Sequence, residues 1–182
     1  MTDRVTGAAA PGGMPEEADA ETVVVRLRVN GREVVETVPA RLGLADLLRD
    51  RLGLTGTHLG CEHGVCGACS VLMDGVSVRA CLVFAAQAHG RDVWTVEGLH
   101  DSGRTAELAE AFSRRHGLQC GYCTPGFLVA ATEYLDDDGT PDEDAIREAL
   151  SGNICRCTGY QGIVAAVADV ARTRRAAGGR AG

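Results

Sequence analysis

The sequence predicts an α+β protein in two unlike parts, a strand-rich domain over residues 22–98 and a four-helix domain over 99–175. Three observations carry this expectation. The apolar pattern has a period of two before Gly98 and of 3.6 after it. Asn30-Gly31 and Asp74-Gly75 are hairpin signals between β-branched runs. All eight cysteines fall into two quartets with different spacings, one in each part.

The elements follow in order. Residues 1–21, rich in Ala, Gly and Pro, read as a disordered arm. Thr22 to Val29 alternates β-branched with polar residues, as a half-buried strand does. Glu33 to Val38 returns as its partner across Asn30-Gly31. Leu44, Leu47, Leu48 and Leu52 mark one face of a short helix that stops at Gly53. A loop over 56–69 follows, and then a second hairpin, Ser70 to Met73 with Val76 to Arg79. Asp92 to Val96 reads as a last strand.

The helical part opens with an amphipathic segment from Thr105 to His116. Thr124-Pro125 reads as an N-cap with proline at the first helical position, starting a helix to about Leu135. Thr140, Pro141 and Glu143 form a capping-box pattern for a helix to about Leu150. Asp136-Asp137-Asp138-Gly139 is a solvated turn between these two. A fourth helix runs from Gly162 to about Arg175, and 176–182 reads as a flexible tail.

Cys61, Cys66, Cys69 and Cys81 read C-x4-C-x2-C-x11-C, and Cys120, Cys123, Cys155 and Cys157 read C-x2-C-x31-C-x-C. Disulfides suit small secreted domains without a core of their own. Here residues 1–21 carry charges and no apolar run long enough for a secretory leader. No apolar stretch approaches membrane-spanning length. The expectation is a cytoplasmic protein with reduced thiols, which points to metal.

Four cysteines also suit tetrahedral zinc, commonly through two C-x2-C knuckles. The second quartet alone fits either metal centre. The first favours iron–sulfur, because its spacing is the plant-type pattern for a [2Fe–2S] cluster. Its loop also carries Gly60, Gly64 and Gly67, which let backbone N–H groups approach bridging sulfides. Rieske ligation needs two histidines on one iron, and with all four cysteines present His58 and His63 read as loop residues. Two hairpins on one helix, with a metal loop between, form the β-grasp arrangement of plant-type ferredoxins. In the second part the cysteines lie in loops that enter two helices, whose N-terminal dipoles favour an anionic, thiolate-ligated cluster.

Composition agrees with two small domains. Hydrophobic residues make up 45% of the chain and aromatics 4%, so the cores must be built from Val, Leu and Ala. Net charge is −7, and two oxidised clusters would take it to about −11. That balance disfavours nucleic acid as a partner. Arg172, Arg174, Arg175 and Arg180 read as a solvated fringe. No phosphate loop, dinucleotide fingerprint or nucleophile–base set is present, so catalytic residues are not expected on this chain.

Three segments carry a resemblance. They are Gly60-Cys61-Glu62-His63-Gly64-Val65-Cys66-Gly67-Ala68-Cys69, Gln119-Cys120-Gly121-Tyr122-Cys123-Thr124-Pro125-Gly126 and Asn153-Ile154-Cys155-Arg156-Cys157-Thr158-Gly159-Tyr160. They closely resemble the small iron–sulfur subunit of molybdenum hydroxylases, the xanthine oxidase and aerobic carbon monoxide dehydrogenase family. The resemblance spans about residues 22–172. It implies an electron-transfer subunit with two [2Fe–2S] clusters and no substrate chemistry of its own. Cys120, Cys123, Cys155 and Cys157 would hold the cluster nearer a molybdopterin cofactor on a large subunit. Cys61, Cys66, Cys69 and Cys81 would hold the cluster nearer FAD on a medium subunit. Gln119 matches a glutamine that contacts the pterin, and Cys157 the ligand closest to it. The resemblance further implies a dimer of heterotrimers, with no membrane and no nucleic-acid partner. A free ferredoxin-like shuttle is the rival within electron transfer; a zinc-bearing interaction module is the rival outside it.

Overall fold

The computed structural model describes residues 21–178; the arm expected over 1–20 and tail residues 179–182, with Arg180, lie outside it. β1 (Thr22–Val29) and β2 (Arg32–Pro39) pair antiparallel in a register running from Thr22 opposite Pro39 to Val29 opposite Arg32. Asn30 (φ 51°) and Gly31 (φ 78°) make the tight turn between them, the left-handed pair that matches the twist of a hairpin. β3 (Ser70–Met73) and β4 (Val76–Arg79) form the second hairpin. β5 (Asp92–Trp94) lies between the hairpins, parallel to β1 and antiparallel to β3. The sheet order is therefore β2-β1-β5-β3-β4.

Alternation decides what the sheet buries. On β1, Val25, Leu27 and Val29 point inward while Val24, Arg26 and Arg28 face solvent. They meet Leu44, Leu47 and Leu48 of a short helical segment across the sheet. That segment is α1 (Leu44–Asp46), which widens into a π-helical turn, Leu47–Arg51, closed by the Leu52 N–H on the Leu47 carbonyl. The leucine face is thus where the periodicity puts it. The wider turn is not visible in the spacing.

The helices are α2 (Val96–Asp101), α3 (Ala106–Arg114), α4 (Thr124–Asp136), α5 (Glu143–Ala149) and α6 (Gln161–Gly178). Four match the expected set. α2 does not: Val96, expected at the end of a strand, begins a helix after Thr95. The Asn30 side chain donates to Thr95 Oγ1 (3.0 Å) and accepts from Thr95 N–H (2.9 Å), which turns the chain out of the sheet. Two expected caps also shift. Cys123, not Thr124, is the N-cap of α4, and Thr124 Oγ1 is buried without a partner. Asp142, not Thr140, caps α5 by accepting from Ala145 N–H (2.9 Å), while the Thr140 carbonyl accepts from the Tyr134 hydroxyl (2.8 Å). α6 continues past Arg175 to Gly178, into the stretch expected as tail.

The helical core is Leu108, Phe112, Phe127, Ala131, Ile146, Ile163 and Val167 with their neighbours. α4 is buried continuously from Gly126 to Thr132 because it is sandwiched between this core and the sheet. Leu72, Leu99 and Val129 form the apolar seam, with Trp94 and Val96 packed on it. Of the arginines expected as a solvated fringe, Arg172 and Arg175 are exposed, with Arg172 paired to Asp169 (2.6 Å), while Arg174 ties helices together by reaching Glu107 (3.1 Å) and Asp136 (3.4 Å). Arg115, after α3, grips Asp169 through two bonds (2.6 and 2.9 Å).

Candidate metal centres

The first quartet is assembled by a hairpin. Cys61, Cys66 and Cys69 ride on the 56–69 loop, and Cys81 on the single turn Ala80–Leu82 just after β4. The β3–β4 ladder sets Ser70 opposite Arg79, and Ala80 N–H extends it onto the Cys69 carbonyl (3.2 Å), so Cys81 returns beside Cys69. Cys69 is buried; Cys61, Cys66 and Cys81 are half-buried. Cys66 N–H donates to Cys61 Sγ at 3.4 Å. Backbone N–H groups, from His63 first and then Cys66, pull the Cys61 thiol down to about 6. Burial, with Cys81 alongside, pushes Cys69 up to about 11.

The second quartet needs two helices. Cys123 caps α4, with Cys120 one turn earlier in the chain, and Cys155 and Cys157 precede α6. Cys155 is buried, Cys123 half-buried, Cys120 and Cys157 exposed. Tyr160, held at φ 68°, accepts from Cys155 N–H through its hydroxyl (3.1 Å) and sets its ring edge-on to Phe127 at 6.3 Å. Burial pushes the Cys155 thiol up. The Thr158 hydroxyl (3.2 Å) and N–H (3.4 Å) donate to its sulfur and outweigh that, so it lies below the ordinary thiol range. Burial, together with Cys155 close by, pushes Cys123 up to about 12.

The residues fit [2Fe–2S] clusters. Within each quartet the thiols act on one another, Cys66 on Cys61, Cys81 on Cys69 and Cys155 on Cys123, and the Cys120 and Cys157 sulfurs are 3.6 Å apart. Two thiolates per iron and two pairs per site is the demand of a binuclear cluster. N–H and O–H donors to Cys61 and Cys155 are the outer contacts that such ligands use.

The two sites interlock. Ile154 N–H donates to the Cys66 carbonyl at 2.9 Å, one residue before Cys155. Asn153 Nδ2 donates to the Gly67 carbonyl at 3.1 Å. The Tyr122 hydroxyl donates to the Leu59 carbonyl (2.7 Å), and its ring stacks on His58 at 4.7 Å. Gly67 and Gly126 permit this closeness: a Cβ on Gly126 would stand 2.2 Å from the Gly67 carbonyl oxygen. Gln119 lies exposed beside Cys120, with no side-chain hydrogen bond among the described residues. Sequence reasoning missed Arg79, Asn153 and Thr158. Each is an ordinary polar residue whose partner lies elsewhere in the fold or on a sulfur, which no spacing encodes.

A sheet-borne loop and a pair of helix N-termini, each holding four thiols, define a protein with two iron–sulfur binding domains. Family comparisons agree: residues 27–93 match the 2Fe-2S iron-sulfur cluster binding domain, and residues 95–168 match the [2Fe-2S] binding domain. The nicotine 6-hydroxylase small subunit of Paenarthrobacter nicotinovorans is 54% identical over 86% of this chain and 94% of its own length. Caffeine dehydrogenase subunit gamma of Pseudomonas sp. strain CBB1 is 51% identical over 82% and 92%. A chain of the crystal structure of quinoline 2-oxidoreductase from Pseudomonas putida 86 superposes with a TM-score of 0.74 at 43% identity, over 84% of this chain and 97% of that one. The chain belongs to the family of small iron–sulfur subunits of molybdenum hydroxylases. It is the electron-transfer subunit of a multi-subunit oxidoreductase.

Proposed function

We propose that this chain relays electrons from a molybdopterin centre on a large subunit, through two [2Fe–2S] sites, to FAD on a medium subunit. Cys120, Cys123, Cys155 and Cys157 hold the site on the molybdopterin side, within a helical unit over 99–175. Cys61, Cys66, Cys69 and Cys81 hold the site on the flavin side, within a β-grasp unit over 22–98. When bound, each cluster supplies one-electron redox chemistry. The protein's part is to fix the distance between the sites and to shield them from water.

The observation that carries this reading is the Cys66 carbonyl to Ile154 N–H contact at 2.9 Å. It joins a ligand of one quartet to the residue preceding a ligand of the other. A shuttle with one working site needs no such joint. The exposure of Cys120 and Cys157 supports docking of a partner's cofactor beside the helical site, with Gln119 offering its amide donors and acceptor to a heterocycle there. The assembly is a dimer of heterotrimers in the cytoplasm. No described helix is long and apolar enough to cross a membrane. Relatives named for nicotine, caffeine and quinoline share this small-subunit architecture, so the choice of substrate rests with the large subunit.

Co-expression with the partner subunits tests the relay. The complex should hold about four irons and four sulfides per small chain, with two distinguishable EPR signals on reduction. Cys66→Ser should leave substrate able to reduce molybdenum while electron exit is blocked; a wild-type rate to the acceptor would refute the order. Gln119→Ala should keep its iron and lose turnover by an amount equivalent to about 1–3 kcal/mol. Unchanged turnover would make Gln119 an ordinary loop residue.

A further inference from the structure

One arginine joins the start of β3, just after the first ligand loop, to the loop that leads into the second quartet. Arg79, at the end of β4, donates from one guanidinium nitrogen to Ser70 Oγ (2.6 Å). The other nitrogen reaches the Gly152 carbonyl (2.6 Å) and Asn153 Oδ1 (3.5 Å). The Ser70 hydroxyl in turn donates to the Gly67 carbonyl (2.6 Å), and Asn153 Nδ2 donates to the same carbonyl. The guanidinium therefore sits next to the residue after Cys69, two residues before Cys81, and two to three residues before Cys155.

Its partners are unusual. Arg28, Arg91, Arg104, Arg115, Arg147, Arg172 and Arg174 all end on carboxylates. Arg79 is half-buried, and among the described residues no carboxylate pairs with it. All three of its bonds end on uncharged oxygens. Arg49 and the exposed Arg175 also end on carbonyls, but Arg49 holds only the first loop, at Thr55 and Thr57, and Arg175 only the turn at Asp138. A half-buried cation without a counter-ion is costly unless negative charge lies close by another route. Two thiolate-ligated clusters supply that charge, about two negative charges each when oxidised and one more on reduction.

We propose that Arg79 is a positioning residue shared by both sites: it clamps the two ligand loops together and raises both reduction potentials by compensating the incoming electron. This rests on the two-cluster reading above. The cation favours the reduced form of either site because reduction adds one negative charge near it and removes none. Placement beside both sites makes the effect mutual, so both couples move together and the driving force between them is preserved.

Redox titration of the co-expressed complex, followed by EPR with iron and sulfide analysis, tests this. Wild-type complex lacking two clusters per small chain would sink the two-cluster reading itself. With clusters present, Arg79→Gln should retain them and lower the equilibrium constant for reducing each site about tenfold, a shift of about 59 mV for a one-electron couple. Arg79→Lys keeps the charge and loses the planar fork, so its potentials should stay near wild type. Ser70→Ala removes a hydrogen-bond partner without touching charge and should also leave them in place. Unchanged potentials in Arg79→Gln would overturn the proposal. Shifts in Arg79→Lys and Ser70→Ala as large as in Arg79→Gln would overturn charge compensation. Should Arg79→Gln fail to assemble, Asn153→Asp sets a carboxylate against the guanidinium and should lower both potentials; no shift there would overturn the proposal equally.

Discussion

The loop site and the helix site hold the same four-thiol chemistry by different means. In the loop site three cysteines arrive within nine residues, and the fourth returns through a hairpin whose register is set by local pairing. In the helix site Cys123 and Cys155 are more than thirty residues apart in the chain and meet only because α4 and α6 pack in one core. Each site nonetheless grades from one buried cysteine, Cys69 or Cys155, to more open ones. The loop site should therefore tolerate changes in the helical core that the helix site does not. The joint between them at Gly67, Gly126 and Asn153 belongs to both.

The largest expected effect removes one member of the pair. Cys155→Ser should lower iron from about four to about two per chain while the loop site keeps its EPR signal. Loss of both signals would show that the sites do not form independently. Next comes the joint: a methyl on Gly126 meets the Gly67 carbonyl, a backbone atom that cannot swing aside. Gly126→Ala should cost about 3 kcal/mol of unfolding free energy and broaden both EPR signals, whereas a change confined to the helix site would separate the two loops.

A smaller effect should distinguish the sites by their hydrogen bonds. Thr158→Val deletes the hydroxyl that donates to Cys155 Sγ at 3.2 Å. The helix-site potential should fall by the equivalent of about 1 kcal/mol, with the loop-site potential unmoved, by redox titration. The smallest effect lies on the surface of the helical part alone. The Arg115 guanidinium, with Arg172 beside it, holds the Asp169 carboxyl down at about 2. The ionised carboxylate therefore stabilises the fold above the ordinary carboxylate pKa of about 3.9. That contribution is lost as pH falls from there through about 2. Asp169→Asn should lower thermal stability at neutral pH by less than about 1 kcal/mol, since the pair is partly solvated. The difference should vanish at the acid end, checked by unfolding at several pH values.

Much of this was legible before any fold was built. The β1–β2 register follows from Asn30-Gly31 and the alternation of Val25, Leu27 and Val29, because a two-residue turn leaves one pairing that buries that face. The cysteine spacings named the metal chemistry because ligands must be delivered to a small cluster by short chain segments. The caps of α4 and α5 were misplaced by one or two residues. At Thr140 the expected cap is bound up with Tyr134 instead. α2 was missed because six residues are too few to show a period.

By itself, then, the sequence determined the two quartets, the strand and helix faces and the class of cofactor, since each is written in contacts between near neighbours or in the identity of the ligands. The tertiary structure alone decided that the quartets are joined. Ile154 on Cys66, Asn153 on Gly67 and Arg79 on Gly152 are contacts between residues far apart in the chain, mostly through backbone atoms that every residue possesses. No residue type announces a backbone carbonyl as its partner, so the joint becomes visible only when the sheet and helices are packed against each other.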